Sequence, residues 1–168
     1  SHCPACEASI PWWHNIPILS WLILRGKAAC CGARISIQYP LVELGTGVLW
    51  MTIFACFPFL AWQNGNWSFE LQESLRFLHA LIFSSVLLIC SVIDFEHQII
   101  PDVLSLPLIA LSPLVAFLHP ELDLRSSLFG IFLGGGLFYA VAWIYFFIRK
   151  DYGLGLGDVK LLAGIGGW

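Results

Sequence analysis

The chain is 168 residues long, 58% hydrophobic and only 11% charged, with a mean hydropathy of +0.81. Soluble domains average about 45–50% apolar and about 25% charged residues, so this composition excludes an ordinary water-soluble globule, and disorder with it. Eight basic against eleven acidic residues leave a net charge of −3 and no basic footprint for nucleic acid, so the expected class is an integral membrane protein.

The chain opens at Ser1 with no charged-then-apolar leader pattern and stops at Trp168 inside an apolar run, so it reads as part of a longer protein. Residues 1–38 are expected to form a small segment outside the bilayer. They carry Cys3-Pro-Ala-Cys6 and, further on, the adjacent pair Cys30-Cys31. Two cysteine pairs in a reducing compartment point to a thiolate zinc site rather than to disulfides. Adjacent cysteines rarely both reach one tetrahedral ion, however. A four-cysteine site, a three-cysteine site, a site completed by His2 or His14, and no metal at all are open readings. Cys56 and Cys90 fall in apolar runs and are expected to pack as small apolar residues.

A helix crosses the hydrocarbon layer in about 20 apolar residues. Residues 44–62, entered through Tyr39-Pro40, make the first expected span, followed by 77–93, 99–118 and 126–148. A further span opens after Lys160. Gly130, Gly134, Gly135 and Gly136 predict close helix–helix packing in the last complete span. Trp62, Trp67 and Trp143 read as interfacial anchors or packing residues. With alternating connections, one side of the membrane receives Arg25, Lys27, Arg34, Arg149, Lys150 and Lys160, and the other only Arg76 and Arg125. The basic excess marks the cytoplasmic side and places the cysteine segment there.

Ionisable residues at span depth are costly and mark candidate sites. Asp94 ends the second span as it emerges on the cytoplasmic side, and Asp158 opens the last span as the chain re-enters from that side. Topology therefore predicts that both meet at one membrane face. Gly153, Gly155 and Gly157 precede Asp158 and supply a backbone that another chain can approach closely. Two neighbouring carboxyls suit general acid–base hydrolysis of an amide, one ionised and one protonated. The simpler alternative is that both aspartates mark helix ends. Asp102 follows Pro101 in a first helical turn and reads as a cap with a supporting role open. Glu43 has the same two readings. His97, three residues after Asp94, would tune it, touch substrate or merely face the interface. Asp151 reads as a solvated loop charge. A proton- or ion-coupled transporter is the runner-up function, since buried carboxylates also build proton relays.

At this point the sequence resembles the type IV prepilin peptidases. The resemblance runs through Cys3-Pro-Ala-Cys6, Asn15-Ile-Pro-Ile-Leu-Ser-Trp21, Leu24-Arg-Gly-Lys27, Ile35-Ser36 and Tyr39-Pro-Leu-Val-Glu43. It continues in Asp94-Phe-Glu-His-Gln-Ile-Ile-Pro-Asp102 and in Gly155-Leu-Gly-Asp158 followed by Lys160. It implies an all-α polytopic membrane protein, with a cytoplasmic cysteine segment over 1–38 and a transmembrane peptidase domain over 39–168 that is incomplete at its C-terminal end. It further implies an aspartic endopeptidase of the bacterial inner membrane, removing short basic leaders from prepilins or pseudopilins at the cytoplasmic face. Asp94 and Asp158 would be the catalytic pair. Gly155, Gly157, His97, Asp102, Glu43 and Lys160 would touch substrate or support the pair. Cys3, Cys6, Cys30 and Cys31 would bind structural zinc, and S-adenosylmethionine would serve a second, N-methylating activity. One departure stands out: Ala28 occupies a position where the family has a knuckle cysteine, and Cys30 is the nearby substitute. Acidic residues around the site, such as Glu96 and Asp151, would attract a basic leader.

Overall fold

The computed structural model describes residues 2–63, 66–118, 123–150 and 155–168. The chain forms two compact units, Ser1–Ala55 and Cys56–Trp168.

The first unit begins with two short loops, a single 3-10 turn at Trp12–Asn15 and the five-residue helix α1, Leu19–Ile23. The Trp21 indole donates to the Ile35 carbonyl at 3.1 Å and closes this segment on itself. Gly26 lies under that indole with φ +69, where a Cβ would sit 3.0 Å from the ring, so both its backbone and its space require glycine. Helix α2, Gln38–Cys56, follows. It starts and ends about one and a half turns earlier than the apolar run 44–62 suggests. Pro40 is at home in the first turn, and Pro58 drives the residue before it out of the helical region. This shift leaves Cys56 exposed at the helix end, whereas Cys90 is buried as expected.

The second unit opens with a hairpin that the sequence reading did not include: β1, Leu60–Gln63, pairs antiparallel with β2, Asn66–Phe69. Its base is anchored where Phe59 packs 5.0 Å, ring to ring, from Phe77. Four helices follow: α3 (Leu71–His97), α4 (Asp102–Leu118), α5 (Leu124–Arg149) and α6 (Leu156–Gly167). Helices α2, α3 and α5 are long and apolar enough to cross a membrane. At about 1.5 Å per residue α4 reaches only about 25 Å, short of the roughly 30 Å hydrocarbon layer, so the expected span 99–118 is a shorter helix. Two prolines lie inside it, Pro107 and Pro113. Pro113 removes the donor for the Ile109 carbonyl, and the Ser112 hydroxyl takes its place at 2.9 Å.

The interior of the second unit is built largely from small residues, with Leu108 and Val159 buried among them. Ser105, Ser112, Ser127, Cys90, Ala116 and Ala163 are buried, while Phe117 and Phe132 are each 76% exposed. This inversion of a soluble core fits helices that meet through small residues and turn their bulk to lipid. Gly130 abuts the Gly166 backbone, Gly134 abuts Leu162, and Gly135 abuts Ala163, so α5 and α6 run antiparallel in close contact. Gly136, by contrast, has open space at its Cβ position and takes no part in this packing. Trp143 is half exposed on α5, its ring 4.6 Å from that of Phe147. The side chains of Trp62 and Trp67 lie outside the described residues.

Candidate functional site

Contacts along α4 and α6 share one direction: Ile100 meets Gly157, Asp102 meets Lys160, Leu108 meets Gly164 and Ser112 meets Gly167. The two helices are therefore parallel and start at the same end of the unit. Helix α3 runs the other way. Near its start His79 and Phe83 hold the Trp168 ring at 4.8 and 5.6 Å, beyond the far end of α6. The end of α3, with Asp94, thus lies at the same end of the unit as the start of α6, with Asp158.

Local structure explains how each aspartate is presented. Helix α3 stops because Gln98 adopts a left-handed conformation, φ 53, and its amide donates back to the Asp94 carbonyl at 2.8 Å. Asp94 occupies the last turn, exposed, with Glu96 and His97 beyond it. His97 Nε2 lies 3.8 Å from Glu96 Oε2, and both are solvent-facing. Asp158 is half-buried in the first turn of α6, and its amide donates to the Gly155 carbonyl at 3.1 Å. Both glycines before it have steric reasons. A Cβ on Gly155 would lie 3.2 Å from Asp158 Oδ2, crowding the carboxylate, and a Cβ on Gly157 would lie 3.1 Å from Ile100 Cβ. Asp102 opens α4 as expected, and Lys160 Nζ donates to both its carboxylate oxygens, at 2.7 and 2.8 Å. That pairing is not visible in either residue's own motif. Asp151 and Gly153 lie outside the described residues.

Glu43 belongs to the first unit and accepts a 2.8 Å hydrogen bond from the Ile18 amide. Ile18 sits at φ 63, ψ −52, with Leu19 N donating to the Pro17 carbonyl two residues back. This is a strained γ-turn, rare for a β-branched residue. A cavity of about 380 Å³ opens beside it, lined in part by His14, Trp21, Tyr39 and Glu43. No sequence signal announces this turn, because backbone strain leaves no compositional trace.

The four cysteines of the first unit form one cluster, with their sulfurs all within 4.8 Å of one another. A tetrahedron with Zn–S bonds of about 2.3 Å sets its sulfurs about 3.8 Å apart. The Cys3–Cys31 and Cys30–Cys31 separations are each 3.8 Å, and Cys6–Cys30 is 3.2 Å. The donor set and its spacing therefore fit a closed structural zinc site. Adjacent Cys30 and Cys31 both reach the cluster, and neither His2 nor His14 belongs to it.

An internal repeat explains how. Cys3 N donates to Ala8 O and Glu7 N to Cys3 O; Ala28 N donates to Ala33 O and Gly32 N to Ala28 O, all at 2.8–2.9 Å. Glu7 and Gly32 both have positive φ, and the flanking bridges His2–Ser9 and Lys27–Arg34 match. Position for position, Cys31 answers Cys6 and Ala28 answers Cys3. The fourth sulfur comes instead from Cys30, two residues further on. The crowding shows in the thiols. Hydrogen bonds from the Ala5 backbone and the Cys30 thiol lower Cys3 to about 7, whereas the Cys6 and Cys3 thiols push Cys30 up to about 12. Cys31 is also raised: the Ala33 backbone lowers it, but burial and the Cys6 and Cys3 thiols outweigh that contact.

Comparison with known proteins agrees with this division. The profile of the Bacterial Peptidase A24 N-terminal domain matches residues 1–57, and that of the Type IV leader peptidase family matches 81–168. A prepilin leader peptidase/N-methyltransferase of Neisseria gonorrhoeae is 39% identical over 168 residues, covering all of this chain and 54% of the relative. Those of Stutzerimonas stutzeri and Klebsiella pneumoniae are 38% and 34% identical, again over the whole chain, with 53% and 68% of the relative covered. No solved structure matches. The chain spans about half the length of most of the curated relatives it matches. With both profiles in chain order and the second covering more than half of it, the chain belongs to the type IV leader peptidase family.

Proposed function

We propose that this chain carries the chemistry of an aspartic endopeptidase that removes the short basic leader from type IV prepilins or pseudopilins at the cytoplasmic face of the bacterial inner membrane. The observation that supports it is the approach of Asp94 and Asp158 to one end of the helical unit from opposite ends of their sequence. In this reading one aspartate, ionised, takes a proton from water while the other, protonated, donates to the scissile carbonyl oxygen. The hydroxide oxygen bonds to the carbonyl carbon to give a tetrahedral diol. The C–N bond then breaks as a proton passes to the leaving amine, and the two carboxyls return to their starting states. No covalent enzyme intermediate is formed. A proton-relay transporter would need acids through the membrane depth, yet residues 74–93, 103–118 and 126–148 contain neither Asp nor Glu.

In this reading Cys3, Cys6, Cys30 and Cys31 hold zinc, which ties the two loops of the first unit together and supplies no chemistry to the peptide bond. The names of the relatives also carry N-methyltransferase, and N-methylation of the new terminus is the second proposed activity. S-adenosylmethionine, when bound, supplies the methyl cation equivalent. Glu43, beside the cavity of the first unit, would offer a carboxylate to its positive charges. The decisive test uses the full-length protein in membranes with a prepilin. Asp94→Asn and Asp158→Asn should each reduce cleavage by about 10²–10⁴-fold. Cleavage at the parent rate by either variant refutes that residue's assignment.

A further inference from the structure

Asp94 and Asp158 belong to different helices, so their mutual placement depends on whatever fixes the α3–α4 connection against α6. That connection is short and stiff. It comprises residues 98–101, reverses at the left-handed Gln98 and ends on Pro101, whose ring fixes φ. Displacing Asp102, the first residue of α4, therefore displaces the end of α3. On the other side Lys160 stands two residues beyond Asp158 in one continuous helix. Displacing Lys160 displaces Asp158. The two-oxygen contact of Lys160 Nζ with Asp102 closes this path from one aspartate to the other, next to the tight apposition of Gly157 on Ile100.

We propose that Asp102 and Lys160 form a clamp that positions the aspartate pair, a proposal that rests on the reading of Asp94 and Asp158 as the chemical groups. The clamp has little else to do. Lys160 is 34% and Asp102 55% exposed, and an ion pair so accessible to water contributes little to stability. Its effect is geometric: it sets the depth of α6 against the connection that carries Asp94. Neither residue touches the reacting atoms in this proposal; each acts through its neighbour.

The test uses the full-length protein in detergent, with spin labels carried on p-acetylphenylalanine at positions 95 and 156, which leaves the native cysteines alone. Phe95 and Leu156 are exposed and flank the two aspartates. The parent should give a single narrow distance distribution, and Asp102→Asn and Lys160→Met should each broaden or shift it. The charge-exchanged double variant, Asp102→Lys with Lys160→Asp, should restore it, and Lys160→Arg should keep it, since a guanidinium also contacts both oxygens. Prepilin cleavage by the single variants should show kcat reduced by about 10–100-fold with KM within about twofold of the parent, the signature of a misplaced catalytic group. Thermal unfolding should not change. Parent-like distance distributions in both single variants overturn the proposal, as does failure of the charge exchange to restore them. If the parent itself cleaves no prepilin, the peptidase reading fails, while the distance distributions still decide whether the clamp exists.

Discussion

Replacing Gly130 with Ala tests the seam that holds α6 in place. A methyl group at 130 would overlap the Gly166 carbonyl oxygen and lie 2.7 Å from its carbon. Ordinary contact is about 3.5–4.0 Å between carbons and little less between carbon and oxygen, so α5 and α6 must part by more than about 1 Å to accept it. Gly136 provides the matched control on the same helix, because nothing lies within 4 Å of a Cβ there. Both substitutions gain the same intrinsic preference of alanine for a helix, about 0.5–1 kcal/mol. Their difference in stability therefore isolates the clash, and overpacking of this kind costs about 1–3 kcal/mol. Unfolding of the purified full-length protein in mixed micelles measures that difference. Prepilin cleavage should separate them further, since misplacement by about 1 Å costs about 10²-fold in rate. If the two variants unfold together and cleave equally, α5 and α6 are not in the contact described, and the placement of Asp158 through this seam is wrong.

Cys30→Ala should lower bound zinc, and adding Ala28→Cys should restore it, because Ala28 holds the place of Cys3 in the repeated loop; metal content by mass spectrometry decides. Zinc displaces protons from the Cys30 and Cys31 thiols, both raised in the metal-free cluster, so affinity should fall as pH drops from about 8 to about 6. Chelator competition would expose a pH-independent affinity, which is incompatible with thiolate ligation. Gly155→Val should reduce cleavage by about 10²-fold while leaving unfolding unchanged, because its side chain would displace the Asp158 carboxylate rather than a packed core.

The helical, membrane-embedded character of the chain is legible because twenty-residue apolar runs have few other uses. Their limits are less legible. Absence of charge does not end a helix, so the run 44–62 overshoots α2, which Pro58 stops. The hairpin between α2 and α3 is signalled by Asn64-Gly65 between two apolar-rich strands, a pattern easily passed over inside a search for spans. Parity places Asp94 and Asp158 at one end only because the run 99–118 returns the chain along the unit, and α4 does so, antiparallel to α3, although it is shorter than a full span. The ligand set of the cysteine cluster is not legible by spacing alone. A rule that expects two residues between paired ligands fails where one loop reproduces another and a ligand has moved two positions along it. Of four clustered glycines on α5, three pack and Gly136 does not, a distinction set by which face meets α6 rather than by composition.

The parallel pair α4 and α6 explains why residues without chemistry of their own surround Asp158. Ile100 against Gly157, Leu108 against Gly164 and Ser112 against Gly167 place a larger side chain opposite a glycine at each level. Sliding α6 by one turn, about 5.4 Å, would bring side-chain-bearing residues such as Leu161 toward these positions and carry Lys160 away from Asp102. Only one axial register satisfies all three steric contacts and the ion pair together. The antiparallel seam with α5, where Ser127 donates to the Gly167 carbonyl at 2.6 Å, selects the same register from the other side. Close-packed surfaces of this kind admit discrete arrangements rather than gradual slippage. The depth of Asp158 is therefore specified jointly, by shape along α6 and by the ion pair at its start, beside the close contact of Gly157 with Ile100.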